Sequence, residues 1–239
     1  MTKFKSGYIN SIETMGLVDG PGIRIVIFMQ GCSLRCLFCH NPETWQKTSK
    51  LKLTSKEIVD EIRKYRPYIE KDGGVTFSGG EPLFQSEFLL EALKLCKKAG
   101  IHTCIDTSGT SYDKKYLKDI LKYTDLIILD IKAIDDENYK KITGKSIDEF
   151  NYFYKELNKQ NKKVWLRQVI VPTINDSEEY ILKLKEYIKR IKNMEKVELL
   201  PYHTMGIEKY DKLNIKYRLL GIPDMDKEEC KKLEEILKR

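Results

Sequence analysis

The chain has 239 residues, 41% of them apolar, with 43 Lys and Arg against 36 Asp and Glu for a net charge of +7. That length serves one large domain or two small ones. No apolar run nears the ~20 residues of a membrane span, Met1 to Tyr8 lacks the apolar core of a secretory signal, and the lysines alternate with acids as on a solvated helix face. A soluble cytoplasmic protein is expected, with no membrane or nucleic-acid partner. An acidic redox partner would still feel the positive field.

In chain order, strands are expected over Arg24–Gln30, Val75–Ser78, His102–Asp106, Leu126–Lys132, Lys163–Pro172 and Val197–Tyr202. Helices are expected over Ser55–Tyr68, Gln85–Ala99, Asp113–Tyr123, Ile147–Asn161, Asp176–Asn193 and Asp226–Lys238. Ser55 and Ser86 stand where helices begin, and Gly100 where one stops. Alternation of strand and helix predicts parallel strands with right-handed crossovers. Six units are fewer than the eight of a closed barrel. The expected fold is an α/β, partial open (β/α)6 TIM-like barrel, with a doubly wound sheet as the alternative. No Pro-, Gly- or Ser-rich linker divides the chain, so residues 1–239 read as one domain. It has an N-terminal extension over 1–22, a loop over 31–41, and a C-terminal flap and helix over 204–239. The irregular stretch Thr204 to Pro223 is expected to cover one end.

Three of the six cysteines cluster as Cys32-x3-Cys36-x2-Cys39, directly after the first strand. Cys96, Cys104 and Cys230 are scattered and read as structural. Three thiolates cannot saturate a four-iron cube, which normally takes four, so one iron is left open to a small molecule. Cys32, Cys36, Cys39 and His40 also offer Cys3His chemistry for zinc. The adjacency of Cys39 and His40 makes joint ligation of one tetrahedral ion awkward.

Each strand ends in polar or glycine residues, where parallel α/β folds gather their sites. Ser78-Gly79-Gly80-Glu81-Pro82 follows the second strand, and Asp106-Thr107-Ser108-Gly109 the third. Asp130-Ile131-Lys132 ends the fourth, Arg167 lies in the fifth, and Tyr202-His203 follows the sixth. Gly79-Gly80 can present bare backbone to a ligand, or simply make a turn. Glu81 and nearby carbonyls suit a ligand's ammonium. Asp130 and Lys132, two apart on a strand, share a face. Lys132 suits a ligand carboxylate and Asp106 with Asp130 a cation; an ion pair at the strand end is the plain alternative. His203 is suited to a purine or to capping a loop, and His102 opens a strand in a structural role.

Together these residues resemble the radical S-adenosylmethionine (SAM) superfamily, and within it the activating enzymes of glycyl radical enzymes such as pyruvate formate-lyase. The resemblance runs through Val18-Asp19-Gly20-Pro21-Gly22-Ile23-Arg24, Phe28 to Cys32, Cys36 to Asn41, Ser78 to Glu81, Gly100 to Thr107, Leu129 to Lys132, and Val197 to His203. It implies a [4Fe-4S] cluster on Cys32, Cys36 and Cys39. It also implies reductive cleavage of SAM to a 5′-deoxyadenosyl radical, which takes a hydrogen atom from a backbone glycine of the partner. The cluster and SAM carry that chemistry, and no side-chain acid or base is required.

By matching position, Phe38, Cys39 and His40 line the adenosyl side. Gly80 contacts the methionine moiety, with Gly79 and Glu81 beside it counted among the cofactor-binding residues. Asp130, Ile131 and Lys132 border SAM, and His203 reaches it from the sixth strand. Asp106, Thr107, Asp130 and the carbonyl of Ile128 match a site for K+ or Na+. Asp19 and Arg167 are the candidates for contact with the partner's peptide. Reduced flavodoxin or ferredoxin is the implied electron donor, and the chain is expected to be a monomer. Asn41 to Thr54 is short and free of cysteine, unlike activases with extra ferredoxin-like clusters. The competing readings are an activase of another glycyl radical enzyme, a radical SAM enzyme acting on a small molecule, and a zinc-stabilised RNA-binding module.

Overall fold

The computed structural model describes residues 4–239. The first three residues of the expected extension over 1–22 lie outside the described residues. The chain begins with β1 (Ser6–Gly16), turns into β2 (Arg24–Met29), and adds the short β3 (Leu51–Thr54). β1 pairs antiparallel with both β2 and β3. Neither β1 nor β3 is legible as a strand in the sequence. Asn10, Ser11, Glu13 and Thr14 interrupt the apolar pattern of β1, which is a strand because it closes the free edge of β2 and buries Ile9 completely.

Helices and parallel strands then alternate. After β3 come α1 (Ser55–Lys64), α2 (Arg66–Ile69) and β4 (Gly74–Gly79). Next are α3 (Ser86–Lys98), β5 (Thr103–Thr107), α4 (Lys114–Lys122) and β6 (Leu126–Asp130). They are followed by α5 (Asp136–Thr143), α6 (Asp148–Lys159), β7 (Lys163–Ile170), α7 (Glu178–Ile188) and β8 (Met194–Pro201). The chain ends with α8 (Ile207–Lys212) and α9 (Lys227–Lys238). One sheet of order β3-β1-β2-β4-β5-β6-β7-β8 contains all eight strands. β2 and β4 to β8 are mutually parallel. The edge strands β3 and β8 do not pair, so the sheet is open, as expected of a partial barrel.

Local chemistry explains the boundaries. Thr54 and Glu57 form a capping box that starts α1. The helix expected over Ser55–Tyr68 breaks at Tyr65, because Pro67 lacks the N–H needed to continue it and sits instead in the first turn of α2. α5 starts on Asp135, whose side chain accepts from the Asn138 N–H, and stops at Gly144 with φ of 76°. It was missed because it is only one face of two turns. The C-terminal stretch holds α8 instead of being wholly irregular, and Gly206 packs directly on His40. Ile105, Ile127, Leu129 and Leu166 face the helices and share the main core with residues such as Leu117 and Ile120. Each such burial contributes about 1.5–3 kcal/mol.

The opposite face is the concave one. Cys104, Leu126, Ile128 and Trp165 form a small apolar floor there. By strand alternation Phe28, Ser78, Asp106 and Asp130 stand above that floor. Cys96, Cys104 and Cys230 are all buried, in keeping with structural roles.

Candidate functional site

A cavity of about 270 Å³ opens at the carboxyl ends of the parallel strands. Cys32, Cys36, Phe38, Cys39 and His40 line it from the loop after β2, and Gly79 and Gly80 from the loop after β4. Asp106, Thr107, Asp130 and Lys132 close its far side, and Asp19 reaches it from the β1–β2 turn. Five predicted residues do not line it: Glu81, Ile128, Ile131, Arg167 and His203. Lining residues that no sequence motif included are Thr44, Trp45 and Val169, and Phe28 and Ser78, quoted within motifs but given no role, line it too. The alternation of β2 and β4 puts Phe28 and Ser78 on the concave face, a signal that was available.

The cysteine loop is held by its backbone. The Gly31 N–H donates to Thr44 O at 2.9 Å, and the Glu81 N–H to Gly31 O at 2.9 Å. Arg35 and Leu37 N–H groups donate to the last carbonyls of α5, Thr143 O at 2.8 Å and Ile142 O at 3.0 Å. These are carbonyls that a helix end leaves without intrahelical partners. Burial pushes the Cys36 thiol up to about 11, opposed by the Lys132 ammonium. Burial likewise raises Cys32 and Cys39. Among the described residues no three Cys, His, Asp or Glu side chains are grouped to hold a single metal ion.

Opposite the loop, Gly79 has φ of 115°, and a Cβ there would lie 2.3 Å from Met29 N. A Cβ on Gly80 would lie 2.6 Å from Gly31 O. Only glycine lets the two loops approach this closely, which leaves bare backbone beside the thiols. Glu81 turns away from the cavity. Its carboxylate accepts from Thr107 Oγ1 at 2.6 Å, Ser108 Oγ at 2.6 Å, Ser108 N at 2.9 Å and Leu83 N at 3.1 Å. It ties the β4 loop to the β5 loop, and burial raises it to about 7 against those hydrogen bonds.

Strand β6 ends at Asp130, so Lys132 lies beyond it and does not share a strand face with Asp130 as the sequence implied. The two meet anyway, with Lys132 Nζ 2.7 Å from Asp130 Oδ2. Burial works against the Lys132 ammonium, but Asp130 and Cys36 hold its pKa above the usual lysine range. Ser78 Oγ donates to Asp106 Oδ2 at 2.9 Å. Burial and the neighbouring Asp130 raise Asp106 to about 6. The Ile128 side chain belongs to the floor, and that of Ile131 to the main core.

His203 adjoins the cavity through His40, whose ring centre is 4.0 Å from its own. The His40 Nε2–H donates to His203 O at 3.1 Å. Burial, then His203, lowers the His40 pKa. Arg167 donates to Glu198 Oε2 at 3.2 Å and to Val18 O, so it braces the turn that carries Asp19. Burial raises the Asp19 carboxyl while Arg167 and Arg24 pull it down. His102 lies with its Nδ1 3.2 Å from Arg24 on the far side of the sheet's strand starts, a structural position.

The profile of the radical SAM superfamily matches residues 26–185. The chain is 57% identical over 233 residues to the pyruvate formate-lyase-activating enzyme of Clostridium pasteurianum, covering 97% of each. It is 45% identical over 232 residues to that of Staphylococcus epidermidis, covering 94% of this chain and 92% of the relative. Among solved structures, a domain of pyruvate-formate lyase-activating enzyme from Bacteroides vulgatus superposes with a TM-score of 0.56 at 24% identity, over 70% of this chain and 93% of that one. Streptococcus suis SuiB bound to S-adenosylmethionine superposes with a TM-score of 0.62 at 19% identity, over 87% of this chain and 44% of that one.

Proposed function

The chain belongs to the radical SAM superfamily, and on that premise we propose that it activates pyruvate formate-lyase by installing a glycyl radical on it. The observation that carries the reading is the three-cysteine loop facing bare glycine backbone across one cavity, in a chain alike end to end to activating enzymes.

Cys32, Cys36 and Cys39 would hold a [4Fe-4S] cluster, and their donor set fits it because three thiolates leave one iron open. When bound, the cluster and SAM supply one-electron cleavage of the sulfonium and abstraction of a hydrogen atom from a glycine of the partner. The remaining work belongs to this chain. Gly79 and Gly80 give the methionine end of SAM a surface without side chains. Lys132, already charged and close to Phe38, offers the carboxylate of SAM a cation. Phe38 and His40 flank the adenosyl side, with His203 behind His40. Ile131 borders SAM through its backbone. Asp106, Thr107, Asp130 and the Ile128 carbonyl make a set of hard oxygens suited to K+ or Na+. Asp19 and Arg167 meet the partner's peptide at the lower rim. Glu81 acts by tying two loops together, not as an acid or base. A reduced flavodoxin or ferredoxin supplies the electron, and residues 1–239 work as one domain.

The test is electron paramagnetic resonance on anaerobically reconstituted protein, reduced, mixed with SAM and then with pyruvate formate-lyase. A cluster signal shifted by SAM, followed by a glycine-centred doublet on the partner, is expected. Cys36→Ala, with two thiolates left, should lose the cluster signal. A SAM-shifted cluster without a partner radical would overturn the choice of partner, and zinc in place of iron would overturn the whole reading.

A further inference from the structure

We propose that Tyr210 is a positioning residue for the third cysteine of the loop. Its hydroxyl fixes the peptide between Cys39 and His40, and so sets the directions of the Cys39 thiol and the His40 ring. This rests on the cluster reading above.

The loop has two halves, held by different parts of the chain. The first half is pinned to the end of α5 through the Arg35 and Leu37 N–H groups. Among the described residues no backbone hydrogen bond from α5 reaches the second half; Thr44 donates to Asn41 O through its N–H at 2.9 Å and its hydroxyl at 2.7 Å, and the C-terminal stretch supplies the rest. Tyr210 Oη donates to Cys39 O at 2.8 Å, and among the described residues no other donor contacts that carbonyl. Lys209 Nζ lies 2.8 Å from Asn41 Oδ1 and 2.6 Å from Glu43 Oε1. His203 O receives the His40 Nε2–H, and Arg218 reaches back to the first half, donating to Arg35 O. All five contacts join residues more than 160 positions apart, from 163 in the His pair to 183 in the Arg pair.

Tyr210 is the buried one of the set, 2% exposed. Its ring is fixed edge-on by Trp45 at 5.7 Å and Tyr217 at 4.9 Å. Tyr217 is fixed in turn by the 2.7 Å contact of its hydroxyl with that of Tyr202. The hydroxyl is therefore aimed by packing and is not free to swing. The orientation of this peptide is set by ψ of Cys39 and φ of His40, the torsions that join the two residues' Cα–Cβ directions, so a hydrogen bond that holds the Cys39 carbonyl limits how far the thiol and the imidazole can turn relative to each other.

The test uses the full chain with its cluster reconstituted, comparing wild type with Tyr210→Phe, Tyr217→Phe and Lys209→Met. The readouts are the rate of iron loss to a chelator and the SAM-induced change in the spectrum of the reduced cluster. Losing one neutral hydrogen bond predicts about a fivefold faster loss of iron in Tyr210→Phe, with a weakened spectral response to SAM. Tyr217→Phe keeps the ring that packs on Tyr210 and the Tyr210 contact with the loop, so it should lower thermal stability while changing both readouts much less than Tyr210→Phe does. Lys209→Met acts from a half-exposed position and carries the test if Tyr210→Phe does not fold: it should also speed iron loss. Iron loss and SAM response like wild type in Tyr210→Phe, or equal acceleration in Tyr217→Phe, would overturn the proposal. Failure of wild type to load a cluster would instead overturn the reading on which it rests.

Discussion

Lys132 Nζ stands 2.7 Å from Asp130 Oδ2 and 5.7 Å from the centre of the Phe38 ring, so one ammonium joins the end of β6 to the cysteine loop. The pair is mostly shielded, with side chains 12% and 26% exposed. Removing one partner of a fully buried pair costs about 3–5 kcal/mol. Lys132→Met should cost less, about 1–2 kcal/mol, because water still reaches Asp130. SAM affinity should drop about tenfold or more, while cluster loading stays intact. Isothermal titration of reconstituted protein checks this; unchanged affinity would remove Lys132 from the SAM site.

Glu81 makes stability depend on pH. Its folded pKa is raised from the ordinary 4.5 to about 7 by burial. The folded state then holds the proton more tightly than the unfolded chain does. The stability so contributed is complete below about pH 4.5 and is lost as pH rises through about 7. Asp106, raised to about 6, acts in the same direction. The unfolding midpoint should therefore fall between pH 5 and pH 8. Glu81→Gln should flatten that fall without abolishing it, because Asp106 remains. Equal slopes in the two proteins would count against the shift at Glu81.

Much of the site could be read before the fold. Each parallel strand ends an apolar run with polar or glycine residues, and strand ends are where such folds converge, so position alone pointed to Gly79, Asp106 and Asp130, which line the cavity. The cysteine spacing identified the loop. What escaped notice depends on contacts that no local pattern encodes. Glu81 turns from the cavity because donors on the β5 loop, 26 and 27 residues away, capture it. Tyr210 meets a carbonyl 171 residues away. β1 is a strand only because β2 has an edge to cover.

Asp106 and its neighbours make the cation proposal testable. Ser78 Oγ already orients the Asp106 carboxylate at 2.9 Å, and Asp130 raises its pKa from nearby. If SAM affinity is higher in K+ or Na+ than in a bulky organic cation, Asp106→Asn should erase the difference. In wild type the difference should also fade below about pH 6, where Asp106 takes up a proton. A cation response that survives in Asp106→Asn would assign it elsewhere.

Arg24 offers the sharpest test of how the lower rim is built. It is fully buried at the start of β2, an unusual place for a guanidinium unless every donor is used. Nε donates to Thr76 Oγ1 at 3.0 Å, one terminal nitrogen donates to Pro21 O at 3.5 Å beside His102, and the other donates to Val75 O. Thr76 Oγ1 passes the restraint on, donating to Asp19 O at 2.6 Å. One planar fork thus fixes the turn that presents Asp19 to the cavity. Lysine keeps the charge but cannot reproduce a fork of donors. Arg24→Lys should lose about 3 kcal/mol of stability and release the turn, whose Leu17 and Val18 are 74% and 72% exposed. Limited proteolysis should then cut near Leu17 in the variant and spare wild type. A stability loss under about 1 kcal/mol, with no new cleavage, would mean that Arg167 alone holds the turn through the Val18 carbonyl.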